Sequence, residues 1–396
     1  MSEKRETAMQ NFLTLLGYEL RKLLARRALW VAEALLCLVF WSAWSALLFG
    51  WAGGYLEYGV FGRGARDFTA RVRAAMAADD LAGRPMDAAL LTEADAALRA
   101  LQSGQADPAE VLGYLPVFLQ LERLPDPAAR PADWARNFYG DVRRQMVGSL
   151  ADPDLSPRVL AALQAQAARI PEPWPNRLPQ AFRLLLDDSL AGLGQTSLAA
   201  LGPVLVLLAG AFPREYATGV AVLQRGSRHG RGRLAAAKLL AGQLAALALT
   251  ALPLAGELLL TLAALGPAGA GDPVQLVLTT PYPLTLAQAL AVRLLCLAAA
   301  ALALGAGTLL AGAVFGRAVP ALVAALLACY GPAALSLPGG VWDWWPSRLP
   351  ARIFRLPPVA LGPVVLPPWA AFGLGCALWA AAAGALTLRR FSRGRL

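Results

Sequence analysis

His229 is the only histidine in the chain, and Lys4, Lys22 and Lys238 are its only lysines. This scarcity settles most of the chemistry. A phosphate-cradling P-loop needs a Gly before its lysine and Ser or Thr after it. None of the three lysines has either neighbour, so no Walker A loop is present. No G-x-G-x-x-G lies between a strand and a helix. A structural zinc site needs clustered Cys and His ligands. Cys37, Cys296, Cys329 and Cys376 are instead scattered, each inside an apolar run, where a thiol packs as a small hydrophobe. A Ser-His-Asp or Cys-His pair would have to use His229, which sits among arginines.

Two groups of residues remain that could do work. Glu33, Glu257 and Arg293 interrupt long apolar runs. Inside a membrane, each would cost about 2.5–3.5 kcal/mol at the midplane. Glu257 and Arg293 fall at similar depth on consecutive antiparallel spans. They are expected to pair, either as a structural ion pair or as part of a substrate path or outer gate. Glu33, six positions into the first span, is expected to reach a cation on the cytoplasmic side. The second group is segment 213–238. It places Glu215 just below a span, then Gly219, the apolar Val220, Val222 and Leu223, a Gly-rich turn with Arg225, Arg228 and Arg231, and Lys238 at the entry to the next helix. Such an element could dock into a partner's groove, with its arginines giving orientation. Alternatively it is a solvated loop whose arginines set topology or grip anionic lipid.

The elements that hold these residues follow from composition. Of 396 residues, 57% are apolar and 16% charged, against about 25% charged in a soluble domain. One soluble core could not bury so much Leu, Ala and Val. Six stretches have the roughly 20 apolar residues a spanning helix needs: 28–50, 193–212, 239–262, 287–310, 318–337 and 369–388. The first, behind a long charged leader, reads as a retained signal anchor, with a cleaved signal peptide as the alternative. Segments 1–27, 213–238, 313–318 and 389–396 hold 17 Lys and Arg but only four acids. Loop 263–286 has no Lys or Arg, and loop 338–368 has three. The positive-inside rule therefore puts both termini and 213–238 in the cytoplasm and the insert 51–192 outside. Trp51, Trp342, Trp344, Trp345 and Trp369 fall at the outer edges, as an aromatic belt does.

The predicted fold is an all-α polytopic membrane protein. Residues 1–27 form a cytoplasmic amphipathic interfacial helix, with Phe12, Leu13, Leu16, Leu20, Leu23 and Leu24 on one face and Asn11, Thr14, Tyr18, Arg21 and Lys22 on the other. The first span follows at 28–50. Residues 51–192 form an extracytoplasmic helical domain, with Asp107-Pro108, Asp126-Pro127 and Ser156-Pro157 as helix starts and helices near 87–102 and 157–169. Pro171 to Pro179 stiffen its return to the membrane. Residues 193–388 carry spans two to six, and 389–396 is a basic tail.

In that context Glu215-x-x-x-Gly219, Leu223, Ser227 and Gly230-Arg231-x-x-Leu234-x-x-x-Lys238 resemble the cytoplasmic coupling segment of type-2 ATP-binding-cassette (ABC) exporter permeases. The nearest variety is bacterial, with a large external insert between the first two spans. The order of elements matches, and Pro273-Val-Gln275 and Pro281-Tyr-Pro-Leu-Thr285 resemble that variety's third external segment. The pattern covers about 1–50 and 190–335. Val220 departs from it, since many relatives have Thr there. The resemblance implies a permease subunit with no ATPase site and no cofactor of its own. ATP and magnesium would sit on separate cytoplasmic ABC ATPase subunits, and a second permease chain would complete a homodimer or heterodimer. It implies the bacterial cell membrane, with lipid but not nucleic acid as a further partner. The substrate class implied is an amphipathic peptide, lipid or drug. An ATPase-coupled envelope sensor that translocates nothing would use the same loop, and a polytopic enzyme lacks an evident nucleophile or metal set.

Topology is directly testable. Cysteine introduced at Ser227 should react with an impermeant thiol reagent only from the cytoplasmic side, and cysteine at Ser103 only from outside. Labelling of both from one side would overturn the six-span arrangement.

Overall fold

The computed structural model describes residues 2–49, 64–122, 134–151, 155–186, 193–220, 232–334, 344–346 and 349–393. The chain is mostly helical. Helix α1 (Ser2–Leu24) leads directly into α2 (Arg27–Phe49). The insert contributes α3 (Ala65–Ala78), α4 (Ala88–Gln102), α5 (Leu115–Leu121), α6 (Trp134–Gly148), α7 (Pro157–Ala167) and α8 (Gln180–Leu186). Then follow α9 (Leu193–Ala209), the short α10 (Pro213–Ala217), α11 (Arg233–Leu265), α12 (Leu286–Phe315), α13 (Ala318–Ala334), α14 (Leu349–Arg352) and α15 (Pro368–Arg393).

Among the described residues, four helices are long and apolar enough to cross a membrane, within α2, α11, α12 and α15. The other two predicted spans coincide with α9 and α13, which cover 17 residues each, or about 25 Å at 1.5 Å per residue. Local signals set the ends of the long helices. Thr285 and Gln288 form a capping box at the start of α12, an arrangement that satisfies two orphan amides at once. Gly316 ends the same helix in the left-handed region, at φ 63°, which a residue without Cβ adopts freely.

Helix α12 is the hub, packed against α9, α11, α13 and α15, while α11 packs against α1, α2 and α9. Helices α2 and α11 lock through aromatic side chains. Trp41 Nε1 donates to the Pro253 carbonyl (3.0 Å), and Trp44 Nε1 donates to Thr261 Oγ1 (2.7 Å). Thr261 Oγ1 in turn donates to the Glu257 carbonyl. The indole of Trp41 fits only because residue 256 is glycine: a Cβ there would lie 2.1 Å from the ring.

The insert has its own apolar core, built on Phe138, Met146, Leu91 and the buried Trp174, and it takes in Trp44, Leu48 and Leu265 from the ends of α2 and α11. The expected helices appear as α4 and α7, and Asp87 caps α4 through its side chain. Asp107 holds a turn by accepting from the Ala109 amide, whereas Asp126-Pro127 lies outside the described residues. The Pro171–Pro179 segment is more than a stiff return. The Met86 amide donates to the Trp174 carbonyl, and the Asn176 amide donates to the Arg84 carbonyl. These contacts weave the segment into the insert. The all-α expectation also needs one amendment. Strands β1 (Val359–Leu361) and β2 (Val364–Leu366) pair antiparallel, Val359 opposite Leu366, through a turn at Gly362. This hairpin packs against α7 of the insert.

Gly256→Ala should cost about 1–3 kcal/mol through overpacking, read as a lower unfolding temperature of the detergent-purified chain. Adding Trp41→Ala removes the clash, so the double variant should be no less stable than Trp41→Ala alone. Additive losses would mean that the notch does not hold the indole.

Candidate functional site

A four-charge cluster lies where α1, α10 and the start of α11 meet. Lys238, on the first turns of α11, is 3% exposed and donates to Glu19 Oε2 of α1 at 2.8 Å. It also donates to Glu215 Oε1 of α10, which is shared with Lys22 of α1. Glu19 and Glu215 are each 3% exposed, while Lys22 keeps contact with solvent. Two carboxylates and two ammonium groups cancel, which is the condition under which buried charges are tolerated.

Local structure places each member. Pro213 starts α10 at its first helical position, where a missing amide hydrogen costs nothing. Glu215 then falls in the first turn, where a carboxylate suits the helix dipole. Close packing brings α10 in: at Gly312 of α12 a Cβ would lie 3.2 Å from the Ala209 carbonyl and 3.4 Å from Pro213. Gly219, at φ +71°, turns the chain after α10. Beside the cluster, Arg26 Nη1 donates to the Leu207 carbonyl of α9. Burial and neighbouring Arg214 push its guanidinium down to about 10, still charged at neutral pH.

Burial disfavours the charged form of both Glu215 and Lys22, and the opposite charges outweigh it. Lys238 and Lys22 hold the Glu215 carboxyl below the usual range. The Glu215 and Glu19 carboxylates hold the Lys22 amine above its usual value. The Glu215 contribution is therefore full above the ordinary carboxylate pKa of 4.5 and fades as pH falls through its depressed value. The Lys22 contribution is full below 10.5 and fades as pH rises through its raised value.

Of the residues singled out in the sequence, the structure brings Glu215 and Lys238 into direct contact. Gly219 lies four residues past Glu215 at the turn, and Val220 is exposed. Val222, Leu223, Arg225, Arg228 and Arg231 lie outside the described residues. Sequence reasoning missed Glu19, whereas Lys22, assigned to the solvent face, is exposed there while it bonds Glu215. Leu13, assigned to the apolar face, is exposed. The available signal was the i, i+3 spacing of Glu19 and Lys22, which puts both on one helical face, beside Leu16 and Leu23.

The three charges within apolar helices behave differently. Glu33 is fully buried, but it does not reach a cytoplasmic cation among the described residues. Cys37 Sγ donates to its Oε1 at 4.0 Å. Arg26, two turns below, donates to the Leu207 carbonyl. Arg293 is buried and donates to the carbonyls of Leu185 (3.3 Å) and Leu186 (2.7 Å) at the end of α8. Glu257 is buried on α11. The four cysteines are free and buried. Compared with known proteins, the chain matches no family model, no curated protein and no solved structure.

Lys238→Met leaves two buried carboxylates on the partly exposed Lys22 and should cost about 3–5 kcal/mol. Adding Glu19→Gln restores neutrality and should recover part of that loss, giving a non-additive cycle of unfolding temperatures. The contribution of Glu215 and Lys22 to stability should stay flat between pH 5 and 9, as the ordinary pKa values of 4.5 and 10.5 bracket that window. A loss in the neutral range, or strict additivity, would contradict a cluster working as one unit.

Proposed function

We propose that this chain is the membrane-spanning permease subunit of an ATP-driven ABC exporter of the bacterial cell membrane. In this reading six helices span the bilayer, α9 and α13 among them, both termini are cytoplasmic, and the insert is external. A separate ATPase subunit supplies ATP hydrolysis with magnesium, and two permease chains pair above it. The carrying observation is the cluster of Glu19, Lys22, Glu215 and Lys238. It ties the N-terminal helix, the start of the 213–238 segment and the base of a long apolar helix into one unit. A push from a cytoplasmic motor on 213–238 would then reach the spans without slack. The absence of a P-loop from the sequence fits a motor supplied by another chain.

A sensing device that translocates nothing is the second reading. One observation favours it: the insert core includes Trp44, Leu48 and Leu265 from the helices that lead to the cluster. Substrate flux in vesicles with the ATPase present separates the two.

Purified alone, the chain should neither bind nor hydrolyse ATP. Co-expressed with its ATPase, it should form a complex that Leu223→Asp disrupts, since a charge in an apolar docking pocket costs several kcal/mol. The variant should still insert and fold. Arg225→Ala, on the rim, should mainly raise salt sensitivity. Intact assembly and coupled hydrolysis with Leu223→Asp would reduce 213–238 to a topogenic loop.

A further inference from the structure

Helices α2 and α11 run in the same direction and meet along one seam. Trp41 sits at Pro253 and Gly256, Trp44 at Thr261, and Leu48 and Leu265 end in the same core. Glu33 is eight residues before Trp41, and eight residues before Pro253 and Gly256 come residues 245 and 248. On α2 the buried residues Leu29, Glu33 and Cys37 recur every four positions. Glu33 therefore belongs to the packed face, opposite the exposed Val31, Leu35 and Leu38.

At that place the carboxyl has little to answer it. Glu33 is fully buried, and its Oε2 has no hydrogen-bond partner among the described residues. Oε1 accepts from the Cys37 thiol at 4.0 Å, and a thiol is a weak donor. The elements packed on α2 are α11, α9 and α3. Helix α9 carries no ionisable residue between Leu193 and Ala209. On α11, Lys238 and Arg233 lie at least about 10 Å back along the axis, and Lys238 is held by Glu19 and Glu215. Glu257, itself an acid, lies about 13 Å further on. Helix α3, with Arg66, Asp67, Arg71 and Arg73, packs at the far end of α2, where Arg66 lies over Phe49. At the near end Arg27 is exposed and Arg26 donates to the Leu207 carbonyl.

A carboxylate removed from water without a partner is so costly that the group takes a proton instead. A metal ion needs several ligands around it, and among the described residues no three acidic, Cys or His side chains gather to hold one. The proton is the cation that needs no room. A protonated carboxyl is a donor, and the seam has acceptors near its height. Pro253 lacks an N–H, which deprives the Leu249 carbonyl of its usual helical donor. The buried Thr250 hydroxyl also has no partner among the described residues.

We propose that Glu33 is a proton-binding site, its carboxyl keeping a proton while the α2–α11 seam is closed and yielding it to water when the seam opens. On release the O–H bond breaks, its electron pair stays on the carboxylate, and the proton passes to a water molecule admitted between the helices. The site goes beyond the exporter reading and stands whether or not a substrate crosses. The test is infrared spectroscopy of the full chain in nanodiscs, at neutral and at alkaline pH. Subtracting Glu33→Gln from wild type should reveal the carbonyl band of one protonated carboxylic acid at both pH values, which separates Glu33 from Glu257. Because a neutral amide replaces a neutral acid of the same shape, Glu33→Gln should melt at the wild-type temperature. Trp41→Ala, which loosens the seam, should make the Glu33 band fade at alkaline pH and return on neutralisation. Gly256→Ala, which pries the same seam apart, serves as a second variant should the first misfold. A carboxylate band in the neutral-pH subtraction, or a marked loss of stability in Glu33→Gln, would overturn the site. A Glu33 acid band that persists at alkaline pH in both loosened variants would overturn its release.

Discussion

Four charges of zero net sum, three of them buried, hold one end of this molecule together. Lys238 is the keystone because it bonds two carboxylates from different elements, Glu19 of α1 and Glu215 of α10. In a medium of low polarity such a group cannot be rearranged piecemeal, since any separation exposes a lone charge to an environment that solvates it poorly. The elements it joins must therefore move together or not at all. Burial and opposite charge act against each other at Glu215 and Lys22, and in both the opposite charge prevails. The junction is accordingly insensitive to ordinary changes of pH.

Much of the frame was legible in the sequence because it rests on length and periodicity. Apolar runs long enough to span, Thr285 with Gln288 three residues later, and Ser156-Pro157 each have a local physical cause. What escaped were contacts across the fold. Helical periodicity assigns charged residues to solvent, which holds for Lys22 but passes over Glu19, which is buried. The error at Leu13 is the same error mirrored: the buried face of α1 is rotated slightly from its most apolar one. Glu215 and Lys238 were found through the order of residues in one short segment, which is the kind of local information a sequence carries.

Depth arguments for Arg293 were limited for a related reason. Counting residues from the ends of two spans suggested Glu257 as its neighbour. The guanidinium also meets the Leu185 and Leu186 carbonyls of α8, more than a hundred residues earlier in the chain, which that count did not foresee. Backbone carbonyls are ready acceptors for a buried guanidinium, and no periodicity in α12 could reveal that α8 lies beside it. The Trp41 notch is likewise invisible until Gly256 and the indole face each other.

Helix α11 connects the two ends of the molecule and gives the cluster a mechanical consequence. From Lys238 to Leu265 it runs 27 residues, about 40 Å, from the charge junction to the core of the insert. Pro253 removes a backbone hydrogen bond on the way, which would ordinarily be where such a rod bends. Trp41 braces that point, bonded to the Pro253 carbonyl and wedged at Gly256. Helix α11 thus acts as a splinted lever. Pivoted at Lys238, a tilt of about five degrees over that length moves Leu265 by roughly 3.5 Å. That is enough to exchange one side-chain contact for another in the insert, so the gain of the device is set by the length of one helix and the stiffness of one indole.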